Sequence, residues 1–248
     1  MKQEYHSEKQ TAGEIVVKNP ILTWLENFWY HHKWAVLVTL FFLFTVTVCL
    51  VQCSSVEPAD LTVAFAGAGN LSPGEKEGVI GAMETLTPKN EEGGRKSVLM
   101  NSFYILTEEE MRALHTDAEH GFSPDAYSSH KNLNTNNLAT FSNFVKTGET
   151  ALWLVSPYVF DYQNLDKLAL PLSELYGEDI PPSAYNEYAI RLGDTDFYKY
   201  YDSVKVLPED TLIVLSRRFI MGTSSDEAVY KDFTQLFRAI VDFEAPKS

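Results

Sequence analysis

Apolar positions along this chain fall into two regimes. From residue 34 to residue 56 no Lys, Arg, Asp or Glu occurs, and residues 34–51 read WAVLVTLFFLFTVTVCLV, apolar on every helical face. An uncharged helix of this length reaches about 35 Å, enough to cross a hydrocarbon core of about 30 Å. The pattern predicts a transmembrane helix over 34–53. From residue 57 onward, short apolar runs alternate with amphipathic stretches, as expected of a folded domain that mixes strands and helices.

Within that second regime the elements can be read in order. Residues 61–66 (LTVAFA) form a β-rich run ending at Gly67-Ala68-Gly69. Ser72-Pro73-Gly74-Glu75 has the spacing of a capping box with Pro at the first helical position, opening a helix to about Leu86. A second strand covers 97–106. Thr107 and Glu110 make another capping box, with a helix through about His120. Residues 121–137 read as a polar loop. Leu138, Phe141, Phe144 and Val145 mark one face of a helix closed by Gly148. The wholly apolar runs 151–155 and 211–215 have the composition of strands buried on both faces, the habit of parallel sheets. Ser156-Pro157 starts a helical turn. Ser224 and Glu227 cap a last helix striped by Val229, Phe233, Leu236, Phe237 and Ile240. The predicted fold class is α/β: one N-terminal transmembrane helix followed by an open α/β sheet covered on both faces.

The flanks of the span set its orientation. Residues 1–53 carry four Lys and four Glu, and the remaining 16 basic and 30 acidic residues lie beyond them. His31, His32 and Lys33 precede the span, whereas Glu57 and Asp60 follow it. Cationic flanks stay cytoplasmic, which predicts an inside N-terminus and an extracellular C-terminal domain anchored in the cell membrane. Residues 20–33 (PILTWLENFWYHHK) space Ile21, Leu22, Trp24, Leu25, Phe28 and Trp29 helically and read as an interfacial amphipathic helix. Residues 1–19 read as a flexible cytoplasmic tail, and residues 57–248 as the extracytoplasmic α/β domain. The long, partly acidic N-terminal segment is unlike a secretory leader, whose first region is short and basic. Leu50-Val51-Gln52-Cys53 approaches a lipoprotein processing box, but Gln52 stands where a small residue belongs. Cys49 falls inside the span, so a disulfide with Cys53 is not expected.

Charge narrows the partners. With 20 Lys+Arg against 34 Asp+Glu the formal net charge is −14, which argues against nucleic acid because no basic excess exists to displace counterions. The bilayer is the expected partner of the span. A small-molecule ligand or a membrane protein partner is expected for the domain.

Candidate chemistry is sparse. Gly67-x-Gly69 with Gly74 is not a dinucleotide fingerprint, since Ser72 stands at the third glycine position; the glycines serve a tight strand-to-helix turn. His115, Asp117, Glu119, His120 and His130 crowd one segment without ligand spacing, and read as a solvated helix end and loop. Neither G-x-S-x-G nor H-E-x-x-H occurs, and no catalytic residue, metal or cofactor is predicted. Asn70-Leu71-Ser72 is a glycosylation sequon by pattern. The late aromatics Tyr185, Tyr188, Phe197, Tyr198, Tyr200 and Tyr201 offer rigid apolar faces with polar tips, useful for packing or for gripping a ligand. Ligands on open α/β sheets bind beyond the carboxyl ends of strands, which selects Asn70 and Ser72 after the first strand and Ser156 and Tyr158 after the third as ligand-binding candidates.

A Lys33-Trp34 pair entering the span, then a Cys, an acidic spacer and a VAFAG strand, resembles a group of uncharacterised membrane-anchored proteins of Gram-positive, clostridial-type bacteria. The stretch 141–172 (FSNFVKTGETALWLVSPYVFDYQNLDKLALPL) is similar to solute-binding proteins of ABC transporters, with an amphipathic helix, a Gly, a short apolar strand, a turn and a Leu-Pro-Leu element. That resemblance implies a periplasmic solute-binding fold, reduced in one lobe because about 190 residues remain for it. It also implies a non-catalytic binding protein. The alternatives are a component of a membrane or envelope assembly with a degenerate solute-binding-like domain, and an extracytoplasmic hydrolase.

Overall fold

A computed structural model describes residues 20–54, 59–90, 93–117 and 121–246. The expected cytoplasmic tail, and Glu119 and His120, lie outside the described residues. The chain divides into two compact units, Met1–Pro58 and Ala59–Ser248.

The first unit holds α1, Pro20–Ser54, one continuous helix of 35 residues that joins the two segments read separately from the sequence. Its stretch Phe28–Val51 is long and apolar enough to cross a membrane, a property shared by anchors and signal sequences. Trp34, Phe41, Leu43 and Phe44 are all exposed. Thr45 and Thr47 donate their hydroxyls to the carbonyls of Phe41 and Leu43 at 2.9 and 2.8 Å, so neither needs water to satisfy it.

The second unit contains, in chain order, β1 (Leu61–Gly67), α2 (Pro73–Glu84), β2 (Val98–Tyr104), α3 (Glu108–Leu114), a hairpin of β3 (Thr116–Asp117) and β4 (Gly121–Phe122), α4 (Pro124–Lys146), β5 (Leu152–Val155), α5 (Pro157–Tyr162), α6 (Leu172–Tyr176), β6 (Ala189–Arg191), α7 (Asp196–Tyr200), β7 (Leu212–Leu215) and α8 (Glu227–Val241). Five strands form an open sheet in the order β2-β1-β5-β7-β6. β1 pairs in parallel with β2 and β5, and β7 lies antiparallel between β5 and β6. The sheet is therefore mixed, where the apolar runs had suggested parallel strands. An apolar run reports burial on both faces but not chain direction.

Helices cover both faces. Leu61, Val63, Phe65, Leu154 and Ile213 pack in one core with Met83 of α2, Phe197 of α7 and Phe237 of α8. Ala64, Trp153 and Val214 turn the other way, against Phe141 of α4 and Val159 of α5. Strict alternation along β1 and β5 thus feeds two cores from one sheet.

Helix starts and stops explain most boundaries. Ser72–Glu75 and Thr107–Glu110 both form reciprocal capping boxes, and Gly148, at φ +73°, follows the end of α4. α3 stops at Leu114 rather than near His120, because the β3–β4 hairpin begins at Thr116. The polar stretch 121–137 is not a loop: most of it is the first half of α4. Its polar residues hold it in place. Buried Asn134 accepts from Leu106 N–H at 2.8 Å and donates to Leu106 O at 3.0 Å, and Asn137 donates to Tyr104 O at 2.8 Å. The cap of α8 is Asp226, whose carboxylate accepts from Ala228 and Val229 N–H at 2.8 and 3.1 Å. Ser224, expected in that role, donates instead to Gly148 O at 2.8 Å.

Replacing Asn134 with Leu strands both backbone groups of Leu106, which is 4% exposed. Each buried unpaired group costs about 1–3 kcal/mol, so Asn134→Leu is expected to destabilise by about 2 kcal/mol or more. Asn136→Leu, at an exposed position on the same helix, should stay within about 0.5 kcal/mol of the parent. Urea unfolding of the two variants side by side checks this.

Candidate functional site

The switch in strand order sits between β1 and β5. From β1 the chain crosses to β2 on one side, then passes back over β1 to reach β5 on the other. The two loops singled out from the sequence meet there. Ser156 N–H donates to Ala66 O at 2.9 Å, and a Cβ built on Gly67 would lie 3.4 Å from the Ser156 Cβ. The exit of β2 joins them, since Ile105 N–H donates to Gly67 O at 2.9 Å.

The four candidate residues have different duties at this end. Ser72 accepts from Glu75 N–H at 3.4 Å, and the Glu75 carboxylate accepts from Ser72 N–H at 2.7 Å. Those bonds hold the Glu75 carboxyl below its usual range. Its carboxylate occupies the place an anionic ligand would take at the start of α2. Glu110 does the same for α3, accepting from Thr107 N–H at 2.7 Å. Ser156 accepts from Val159 N–H at 3.3 Å and is spent on capping α5. Asn70 is exposed. Tyr158 is half-buried beside Tyr162, with ring centres 5.6 Å apart. Burial, then Tyr162 and Glu108, push its phenol up, so it stays a neutral hydroxyl.

Beside the exit of β2 the structure makes a contact that sequence reading missed. His115, at the end of α3, and His130, on α4, place Nε2 and Nδ1 3.1 Å apart. The Tyr104 ring lies 5.6 Å from that of His130. Around them Tyr127 donates to Glu108 at 3.1 Å, and the Arg112 guanidinium lies 5.4 Å from the Tyr127 ring centre. The two histidines are fifteen residues apart on different elements, so no helical spacing announces them, and reading 121–137 as loop hid the pair. Among the described residues no group of three or more His, Cys, Asp and Glu side chains is placed to hold a metal ion.

The late aromatics divide. Tyr198 is buried and donates to Leu207 O at 3.0 Å. Phe197, Tyr200, Tyr201 and Phe243 form a ring cluster with centres 4.9–6.0 Å apart. Tyr185 is exposed under Arg191 at 5.4 Å, and Tyr188 packs at the margin of the second core. Beside the ring cluster lies a cavity of about 610 Å³, whose lining includes Tyr176, Asp194, Asp196, Asp242, Phe243 and Glu244. Burial, and next the Asp242 carboxylate, push the Tyr176 phenol up.

The histidine contact predicts a pH dependence. A neutral pair needs one ring to donate and the other to accept, and charging His130 places an imidazolium in a half-buried position. Burial, then the neighbouring His115, hold the His130 imidazole below its ordinary value of 6.5. A depressed histidine contributes stability that is present above the unfolded value and lost as pH falls from there through the folded value. The melting temperature should therefore fall below about pH 6.5 by more in the parent than in His130→Phe, whose ring keeps the contact with Tyr104. Parallel curves for the two proteins exclude a role for the pair. No protein-family model matches this chain, and comparison with curated proteins and with solved structures likewise yields no match.

Proposed function

We propose that this chain is a single-pass, membrane-anchored binding protein without catalytic role, and that its extracytoplasmic domain engages a neighbouring protein of the membrane or envelope through the carboxyl end of its sheet. The observation that carries this reading is the self-capping of that end. A small ligand at a switch point draws on free N–H groups at helix starts, and here Glu75 and Glu110 each already accept from the N–H of the residue that caps their helix. Exposed Asn70, with half-buried Tyr158 on the neighbouring loop, suits a contact made across a surface. Among the described residues the unit from Ala59 is built on one five-stranded sheet and is a single compact body. Placement outside the cell rests on Lys33 and the two histidines before the span, and on the carboxylates after it.

Two measurements test this. In intact cells, a thiol-reactive reagent that cannot cross membranes should label Asn70→Cys introduced into a Cys49→Ser/Cys53→Ser background, and should leave a cysteine near residue 5 unlabelled until the cells are opened. The reverse pattern overturns the topology. A photo-crosslinking amino acid at position 70 should give a discrete protein adduct that is absent from position 133, an exposed site on α4. Absence of an adduct, together with a thermal shift of several degrees by one class of sugar, amino acid, peptide or metal ion, would replace the protein partner with that ligand.

A further inference from the structure

The loop after β7 displays the two most exposed large hydrophobic side chains described in the outer unit. Ile220 is 96% and Met221 72% exposed, and no other in that unit exceeds 59%. The loop is nonetheless pinned. Arg217 N–H donates to Leu168 O at 2.8 Å and its Nε to Ala169 O at 3.2 Å. Phe219 packs against the second core. Ser224 donates both its N–H and its hydroxyl to Gly148 O, at 2.9 and 2.8 Å. Gly148 and Gly222, both at positive φ, pack so closely that a Cβ on the first would come within 2.4 Å of Met221 O, and one on the second within 2.2 Å of Thr147 O. The backbone is thus held on both sides while the two tip side chains project outward.

Sheet register says which end of the domain this is. Leu215 stands opposite Leu152, and Leu152 opposite Val63, so the loop leaves the sheet at the end where β1 begins. Two strand spacings put Arg217 on the order of 10 Å from Leu61. Only residues 55–60 join Ser54, the last residue of α1, to Leu61. This is the end of the sheet that the chain enters first, at Leu61. The loop itself is cationic: residues 216–222 (SRRFIMG) contain two arginines and no carboxylate, while Asp60, Glu149 and Glu227 lie in the flanking segments at this end of the sheet. Arg218 meets Glu227 at 3.2 Å in a pair with both side chains well exposed, which a lipid phosphate can replace. The opposite end of the sheet gathers Glu108, Glu109, Glu110, Asp194, Asp196 and Asp210, which an anionic surface repels.

We propose that residues 217–221 are a second membrane contact. Ile220 and Met221 enter the boundary between headgroups and acyl chains, and Arg217 and Arg218 meet the lipid phosphates. The contact would set the orientation of the domain and hold the self-capped end of the sheet away from the bilayer. It rests on the reading of α1 as a membrane anchor.

The test uses the full chain with Cys49→Ser and Cys53→Ser, reconstituted into vesicles of phosphatidylcholine with a minority of phosphatidylglycerol. An environment-sensitive fluorophore is attached at Ile220→Cys or, for comparison, at Asn70→Cys; both sites are exposed, so labelling spares the core. The label at 220 should be blue-shifted and quenched several-fold more by nitroxide-bearing lipids than the label at 70. Arg217→Glu/Arg218→Glu should reduce that quenching. Vesicle flotation after an alkaline wash reports the anchor separately. Protein that floats while the label at 220 stays water-like, or is quenched no more than the label at 70, overturns the loop contact and leaves the anchor standing. Protein that does not float overturns the anchor and the contact built on it.

Discussion

Strand β5 exposes nothing: Leu152, Trp153, Leu154 and Val155 are each 0% accessible. A strand with apolar side chains on both faces must be covered on both faces, and the rest of the domain answers that demand. α2, α7 and α8 close one side, and α4 and α5 the other. The demand also fixes how the strand edges are used. β1 takes one edge of β5 in parallel and β7 takes the other antiparallel, so no edge at the centre of the sheet is left unpaired. The polar groups nearest β5 are absorbed locally: Thr150 donates to Thr62 O and receives Leu152 N–H, and the Trp153 indole donates to Thr150 O at 3.3 Å.

Sequence reading succeeded where a signal was local and chemically specific. Ser72–Glu75 and Thr107–Glu110 carry their capping boxes in four residues, and the stripe Phe233, Leu236, Phe237 and Ile240 carries a buried face in eight. It failed where the stabilising interaction is long-range. The first half of α4 lacks an apolar stripe because Asn134 and Asn137, rather than hydrophobic side chains, tie it to the exit of β2. Nothing within four residues of Asn134 announces that Leu106 will need it. The start of α8 failed for a related reason. Ser224 and Asp226 both have capping side chains, and only the fold shows that Gly148 claims the first and leaves the helix to the second. β6 was passed over because three residues are too few to print a period.

The candidate site was legible in the same graded way. That loops after two parallel strands would meet at a switch point follows from a general rule of open α/β sheets, and the loops after β1 and β5 do meet. What the side chains do there was legible in part: the four residues 72–75 announce the capping box, and Ser156-Pro157 announces a helical turn, but neither says what Asn70 or Tyr158 meets. A capping serine commits a lone pair to the helix start and keeps its hydroxyl hydrogen to donate, so the letters that signal such a loop do not say whether it binds.

The two ends of the sheet differ. At the carboxyl end Ser72 N–H and Thr107 N–H are taken by Glu75 and Glu110, and carboxylates gather from the segments after β2 and β6. The amino end carries two arginines beside two uncovered apolar side chains on a loop held by paired glycines. The amino end is not uniformly cationic, since Asp60, Glu149 and Glu227 lie in the segments flanking β1, β5 and the loop; what distinguishes it is the uncovered pair Ile220 and Met221 rather than net charge.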